Sequence, residues 1–242
     1  MRLSVIGACL GTALAVPSGR AVGQGLRGDP AAIAAAESMV EAMGGAAVWA
    51  GMQSIHFVTE WHPWNRPDSY VENEILDLTG PRSWADRKSE IHRETRAYSP
   101  EGGRWTMTDG ELTMAAPEQL EVDLARAPFN FYHLVHAVAV GDSWYAVRFG
   151  PGDIPGTRRL EFSGPDGIMG GWVILDIRGA PVVKATPVYR YTLGPLTRFG
   201  NLRLPAWGVY DNGTTRYDLR SASGDRQPPD RSLFLPPATA GR

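Results

Sequence analysis

The stretch MVEAMGGAAVWAGMQSIHF (39–57) decides how this chain begins to fold. Helical spacing of apolar residues ends at Gly44-Gly45, resumes for barely two turns over 46–52, and changes to a period of two from Ser54. No loop of ordinary length separates the second helix from the strand. The pattern predicts a bent helix that crosses one face of a β-sheet and then enters that sheet directly.

The helix before the glycines has a clear start. Asp29 is a suitable N-cap and Pro30 occupies the first helical position, where a missing N–H group does no harm. Residues 31–43 follow and are rich in alanine, the best helix former. Apolar residues at spacings of three and four make one narrow stripe, which consists of Ile33, Ala36, Val40 and Met43.

Alternating polar and apolar residues dominate the rest of the chain. In the first strand Ile55, Phe57, Thr59 and Trp61 point to one side. Similar runs predict strands at 69–78, 82–98, 103–108, 111–115, 143–149, 158–163, 172–178, 182–193, 198–203, 207–211 and 214–221. Helical spacing returns only over 117–126 and 129–140. Strands that follow one another without crossover helices predict an antiparallel sheet, with one apolar face that the helices cover.

The charge balance excludes one class of partner. The chain of 242 residues has 24 basic and 26 acidic side chains, a formal net charge of −2. Phosphate backbones require clustered Lys and Arg, and the most basic run, 87–96, is interrupted by Glu90 and Glu94. We therefore expect no nucleic-acid binding.

The first 23 residues have the composition of a cleavable signal peptide. Arg2 precedes an uncharged apolar run over 3–16, and Ala21-Val22-Gly23 offers small residues for cleavage after Gly23. The run is too short to span a bilayer. We expect an exported, periplasmic protein in which 24–242 form a single domain. Cys9 is the only cysteine and lies in this segment, so disulfides and cysteine-based zinc sites are not expected.

Known catalytic and metal-binding patterns are missing. The sequence contains no Gly-x-Ser-x-Gly, no His-Glu-x-x-His and no phosphate-binding glycine loop. His133 and His136 share a helix face but have no acidic partner nearby, which favours a structural pair over a metal site. Glu72 and Glu74 have a spacing compatible with glycoside hydrolysis, but acidic alternation is more typical of an exposed outer strand face. We expect no enzyme activity, no metal and no cofactor.

Aromatic side chains are the more informative feature. Eight Trp, eight Tyr and seven Phe lie mostly in predicted strands and in the 129–140 helix. Most of them should fill the core, but a curved sheet covered by thin, alanine-rich helices leaves room for a cavity. The predicted ligand contacts in that cavity are Phe57, Trp61, Trp84, Trp105, Phe131, Leu134, Trp144 and Trp172.

The layout resembles the bacterial outer-membrane lipoprotein carrier superfamily (LolA/LolB-like), with related lipid carriers and sigma-factor regulators. The similar features are AMGGAAVWAGMQSIHF (42–57) and the closing segment 199–237, which ends in Leu-Phe-x-x-Pro. The resemblance implies an α+β, mainly β fold. This is an incomplete antiparallel β-barrel, one strongly curved sheet of about eleven strands, with helices over its concave face.

Three functions remain open at this point. The resemblance favours a monomeric periplasmic carrier that binds lipid, lipoprotein acyl chains or another apolar ligand and contacts a membrane transiently. The alternative is an envelope regulator or scaffold that binds a protein partner through the same concavity or a sheet edge. A hydrolase that uses histidines and carboxylates is the third.

Overall fold

A computed structural model describes residues 25–152 and 154–238; the predicted signal peptide lies outside the described residues. The helices are α1 (Pro30–Ala42), α2 (Ala46–Ala50), α3 (Pro117–Arg126) and α4 (Phe131–Val140), with short 3-10 turns at Ala127–Phe129 and Arg231–Phe234. The strands are β1 (Arg27–Gly28), β2 (Ser54–Pro63), β3 (Tyr70–Asp77), β4 (Arg82–Lys88), β5 (Arg93–Ser99), β6 (Gly103–Thr108), β7 (Glu111–Met114), β8 (Ala146–Phe149), β9 (Arg158–Ser163), β10 (Met169–Leu175), β11 (Pro181–Thr186), β12 (Tyr189–Leu193), β13 (Leu196–Phe199), β14 (Leu202–Pro205), β15 (Trp207–Tyr210) and β16 (Thr215–Asp225).

One large sheet forms the body of the protein. Its 14 strands lie in the order β1-β8-β9-β10-β11-β12-β15-β16-β2-β3-β4-β5-β6-β7, while β13 and β14 form a separate hairpin. Neighbouring strands are antiparallel except for the short β1–β8 pair, which is parallel. Because the two outermost strands do not pair with each other within the described residues, the sheet is curved but unclosed. The predicted incomplete barrel, mainly β with a few helices, is confirmed.

The strand count differs from the expectation because alternation continues through tight turns. The predicted strand 82–98 is divided by a turn in which the Ser89 N–H donates to the His92 carbonyl. The predicted strand 182–193 is divided at Pro187, which has no N–H group for a ladder. The predicted strand 198–203 spans the β13–β14 turn, where Gly200 has φ +60°. A period of two cannot distinguish one long strand from a hairpin when the turn keeps the alternation.

The predicted helix boundaries are close to those observed. The Asp29 carboxylate accepts a hydrogen bond from the Ala31 N–H at 2.9 Å, and Pro30 begins α1. Gly44 and Gly45 have φ of +121° and +97°, a backbone region that L side chains rarely adopt. These two glycines therefore turn the chain from α1 into α2, as the sequence predicted.

Close packing explains why the bend requires glycine. A Cβ at Gly44 would lie 2.6 Å from the carbonyl oxygen of Asn201 in the β13–β14 hairpin. The Trp49 side chain of α2 is fully buried, and its Nε1 donates to the Met43 carbonyl at 3.1 Å. The bend thus places Trp49 under the end of α1, immediately before β2 begins.

The main core lies between the sheet and helices α1, α2 and α4. Its largest fully buried side chains come from both layers and are Met39, Met43, Trp49, Ile55, Leu76, Leu78, Leu134, Tyr145, Leu160 and Phe162. The protein's own side chains fill this region closely. Between α4 and β10–β11 the remaining gap, bordered by Phe131 and Lys184, is too small to admit a water molecule.

The C-terminal segment covers part of the opposite, convex face. Phe234 is 1% exposed and packs against β4 and β5. Its carbonyl oxygen accepts a hydrogen bond from Trp105 Nε1 at 3.1 Å. The tail therefore shields a part of the sheet that would otherwise expose tryptophan.

Candidate functional site

The helices leave one end of the concave face uncovered. This is the end where the β2–β3, β4–β5, β11–β12 and β15–β16 turns meet, as the strand register shows. Along β2, side-chain alternation keeps Phe57, Thr59 and Trp61 on the same face, but only Phe57 and Thr59 are buried. The concave cleft, as we call this open end, is lined by Trp61, Tyr70, Glu72, Glu74, Arg87, Arg96, Tyr98, Tyr132, Lys184, Tyr189, Tyr191 and Tyr217.

Aromatic rings form a continuous surface in the cleft. The ring centroid of Tyr217 lies 5.1 Å from that of Trp61 and 5.8 Å from that of Tyr191. Tyr70 extends the surface beyond Trp61 at 6.3 Å. Gly208 makes this possible, because a Cβ there would lie 2.3 Å from the Tyr217 ring. Tyr217 is itself only 4% exposed, so the rings that an apolar ligand could contact directly are those of the half-buried Trp61, Tyr70 and Tyr191.

On one side of the cleft, the buried Glu72 carboxylate binds two arginines and a tryptophan. Glu72 is 2% exposed and accepts hydrogen bonds from Trp61 Nε1 at 3.0 Å, from Arg96 at 3.2 Å and from Arg87 Nε. Arg87 also donates to Glu94 at 3.1 Å. Both arginines are therefore engaged by carboxylates of the protein, and Glu72 holds the Trp61 ring in place.

Lys184 has a different environment. Its Nζ lies 5.1 Å from the ring centroid of Tyr217, 5.4 Å from Tyr191 and 5.5 Å from Tyr132. Burial lowers the pKa of Lys184 to about 8, and the nearby Glu74 carboxylate opposes that shift. The ring faces stabilise an ammonium group, so Lys184 remains mostly charged at neutral pH.

The carboxyl group and the phenols of the cleft hold their protons more tightly than usual. Burial and the neighbouring Glu72 raise the pKa of Glu74, whose Oε1 accepts from the Ser83 hydroxyl at 3.2 Å. Burial raises the pKa of both Tyr189 and Tyr191 to about 12. The phenols are thus hydrogen-bond donors at neutral pH, and the cleft combines apolar rings, hydroxyl donors and a cation.

Four of the predicted ligand contacts lie on the concave face, but they are not together. Phe57, Phe131 and Leu134 are buried between α4 and the sheet, and the Phe57 ring lies 4.5 Å from that of Tyr132. Trp61 alone reaches the concave cleft. Whether any of these side chains touches a ligand stays a prediction.

The other four predicted contacts lie outside the concave cleft. Register pairs Trp84 with Ala97 and Ala97 with Trp105, which places both tryptophans on the convex face. Trp172 alternates with the core residue Val173 and so points away from α4. Trp144 packs against Phe129 at 5.7 Å, in the connection after α4. Trp84 and Trp105 therefore lie on the opposite face of the sheet from Phe57, whereas Trp144 packs against the core that contains Phe57. A ligand contact stays a prediction for all four.

The expectation for Glu72 and Glu74 was wrong. Both point to the concave face, because register pairs them with Thr59 and Phe57, two buried residues of β2. The sequence showed their alternation but not which face the helices cover. Lys184 was missed for the same reason: it is a single charged residue in an apolar strand, without any motif around it.

The two histidines of α4 are buried in the protein interior. His133 Nε2 lies 2.7 Å from the Asp77 carbonyl oxygen, and both His133 and His136 are buried. Over residues 25–152 and 154–238, no three side chains of the metal-binding types come together.

A separate surface groove of about 410 Å³ lies between α2, the β13–β14 hairpin and β16.

Comparisons with known proteins give only distant likenesses. No protein-family model matches the sequence, and no curated protein matches it. Among solved structures, the chain is similar to a DUF1329 family protein from Desulfovibrio piger, with 7% identity and a TM-score of 0.46, covering 84% of this chain and 99% of that one. It is also similar to MucB, with 14% identity and a TM-score of 0.24, covering 87% of this chain and 64% of that one.

A third likeness is to MucB in the MucA/MucB complex of Pseudomonas aeruginosa, with 13% identity, a TM-score of 0.29 and coverage of 85% and 61%. Likenesses this distant do not bear on what the present chain binds. The resemblance to lipoprotein carriers therefore stays a prediction. In the described part of the chain, no helix is both long enough and apolar enough to cross a membrane.

Proposed function

We propose that the protein is a non-catalytic periplasmic carrier that binds an amphipathic, lipid-like molecule in the concave cleft. The observation that carries the proposal is the aromatic cluster at the uncovered end of the concave face, in which the half-buried rings of Tyr70, Trp61 and Tyr191 surround the buried Tyr217. Each acyl methylene that leaves water for such a surface contributes about 0.8 kcal/mol. The closely filled core under the helices directs the ligand to the open end instead.

The loops around the cleft support contact with a membrane. Trp64, Ile91 and Ile168 are 73%, 70% and 69% exposed. The strand register brings their turns to the same end of the sheet as the cleft. Apolar side chains at separate loop tips are suited to shallow insertion between lipid headgroups. A carrier that contacts a bilayer at this end would present its cleft to the lipid.

A matched pair of tryptophan variants tests the proposal. Trp61 lies in the cleft, whereas Trp84 lies on the convex face. Titration with dodecanol, followed by intrinsic fluorescence, should change the emission of the wild type and of Trp84→Phe, but much less that of Trp61→Phe. Native mass spectrometry of the protein extracted from periplasm should show a bound lipid-sized molecule. Unchanged emission in the wild type, together with ligand-free protein in repeated preparations, would refute the carrier function.

A free sheet edge favours a second candidate, the binding of a protein partner. Strand β7 pairs only with β6 among the described residues, and its Met114 is 50% exposed. An extended peptide could add beside β7 through backbone hydrogen bonds. Capture from envelope extracts should then fail for Met114→Lys but not for Val122→Lys, an exposed position on α3. Equal capture by both variants would exclude binding at this edge.

A further inference from the structure

Two donor groups of the cleft, the Tyr217 hydroxyl and the Lys184 ammonium, make no hydrogen bond with a described residue. The Tyr217 hydroxyl is buried and has no hydrogen-bond partner in the part of the chain that the structure describes. The ammonium group of Lys184, 5.1 Å from the Tyr217 ring, makes ring contacts but no hydrogen bond or ion pair with a described residue. A buried donor without an acceptor, such as the Tyr217 hydroxyl, is destabilising and requires an explanation; Lys184 is half-buried beside it.

The neighbouring cations show the contrast. Arg87 and Arg96 are both held by the buried Glu72 carboxylate. Glu74 is the carboxylate that interacts electrostatically with Lys184. Its pKa is raised because it is buried beside Glu72, so it carries a negative charge for a smaller fraction of the time. The chain has only two lysines, Lys184 and Lys88.

From this arrangement we propose that Lys184 and the Tyr217 hydroxyl form a seat for a compact anionic headgroup, of carboxylate size, on the amphipathic ligand. The proposal rests on the proposed function and specifies its ligand class. A carboxylate between the two groups would accept hydrogen bonds from both and neutralise the ammonium charge. The tail would then lie along the rings of Tyr191, Tyr217 and Trp61, which are continuous from the seat toward the open end.

A cationic headgroup is the competing ligand. Rings of Phe131, Tyr132, Tyr191 and Tyr217 surround one point, and such cages recognise quaternary ammonium groups. Here, however, the chain's own ammonium occupies the cage, and a second cation beside it would be repelled. The charge of the preferred headgroup therefore distinguishes an anion site from a cation site.

Three probes with one tail and different head charge test the seat. Dodecanoate, dodecanol and dodecyltrimethylammonium would be titrated calorimetrically into the wild type, Lys184→Met, Tyr217→Phe and the matched control Lys88→Met. We expect dodecanoate to bind most tightly to the wild type and to Lys88→Met. Its affinity should fall about tenfold or more in Lys184→Met and less in Tyr217→Phe, because the lysine contributes an ion pair as well as a hydrogen bond, whereas the tyrosine contributes a hydrogen bond alone. Dodecanol affinity should stay the same in all four proteins.

The pH dependence adds a readout that misfolding cannot imitate. Since the free Lys184 has a pKa of about 8, dodecanoate affinity of the wild type should fall as the pH rises through 8, toward that of Lys184→Met. With ¹³C-labelled lysine, each of the two side chains gives its own Cε signal. Dodecanoate should raise the titration midpoint of Lys184 and leave that of Lys88 unchanged.

The outcomes separate the two proposals. Equal binding of the three probes, with no effect of Lys184→Met, would overturn the anionic seat and leave the carrier function intact. Tighter binding of dodecyltrimethylammonium, improved by Lys184→Met, would overturn the seat in favour of a cation site. No binding of any probe to the wild type would refute the carrier function and the seat together.

Discussion

Replacement of Lys184 by methionine should make the protein more stable at neutral pH. The lysine pKa falls from an ordinary value of 10.5 to about 8 in the folded protein. That difference corresponds to about 3 kcal/mol that folding loses by burying the charge, at about 1.4 kcal/mol per pH unit. Contacts with the surrounding rings offset about 1–2 kcal/mol of it. We therefore expect Lys184→Met to raise the free energy of unfolding by about 1–3 kcal/mol at pH 7, measured by urea titration.

The pH dependence gives this prediction its direction. Because the unfolded chain keeps the Lys184 proton up to about pH 10.5 and the folded chain releases it near 8, the wild type gains stability as the pH rises between these values. The advantage of Lys184→Met should therefore shrink over that range and be nearly lost at its upper end. Lys88→Met, at an exposed position, should change stability by less than about 0.5 kcal/mol at every pH. A Lys184→Met protein that is less stable than the wild type at pH 7, or a difference that is constant with pH, would refute the reasoning.

Three further substitutions test the fold around the cleft. Asp29→Ala removes the N-cap of α1 and should lower the free energy of unfolding by about 1 kcal/mol in thermal denaturation, whereas Asp29→Asn should be almost neutral. Phe234→Ala should lower the free energy of unfolding by about 3–5 kcal/mol. It should also shift the emission of Trp105 to longer wavelength, because the tail would no longer cover the convex face. An unshifted spectrum would contradict the covering role of the tail. Glu72→Gln removes the buried charge that Arg87 and Arg96 share, although Arg87 keeps its hydrogen bond to Glu94, and should lower stability by about 1–3 kcal/mol; an unchanged urea midpoint would show that the network is not structural.

Local patterns were enough to predict the fold class. The cap at Asp29, the Gly44-Gly45 break and the period of two from Ser54 each depend on residues close in sequence, and the structure contains all three features. The number of strands was less predictable, since a turn such as the one near Pro187 preserves the alternation on both sides.

The binding cleft could not be located in the same way. Alternation shows that Trp84 and Trp61 each share a face with their second neighbours, but only strand pairing decides which face of each strand the helices cover. Trp84 and Trp105 were therefore assigned to the same cavity as Trp61, although they lie on the other side of the sheet. The sequence could not identify Glu72 and Lys184 as residues of the cleft, because the aromatic rings that surround them come from other strands.

By itself the sequence determined a bent N-terminal helix, a predominantly antiparallel sheet, and the excess of aromatic residues. These properties follow from backbone sterics and from local periodicity, which act between residues a few positions apart. Only the tertiary structure decided that α1, α2 and α4 pack over one part of the concave face and leave the end that carries Trp61 less covered. It also decided that Lys184 of β11 meets Tyr217 of β16, because pairing across β12 and β15 joins strands that are distant in the chain.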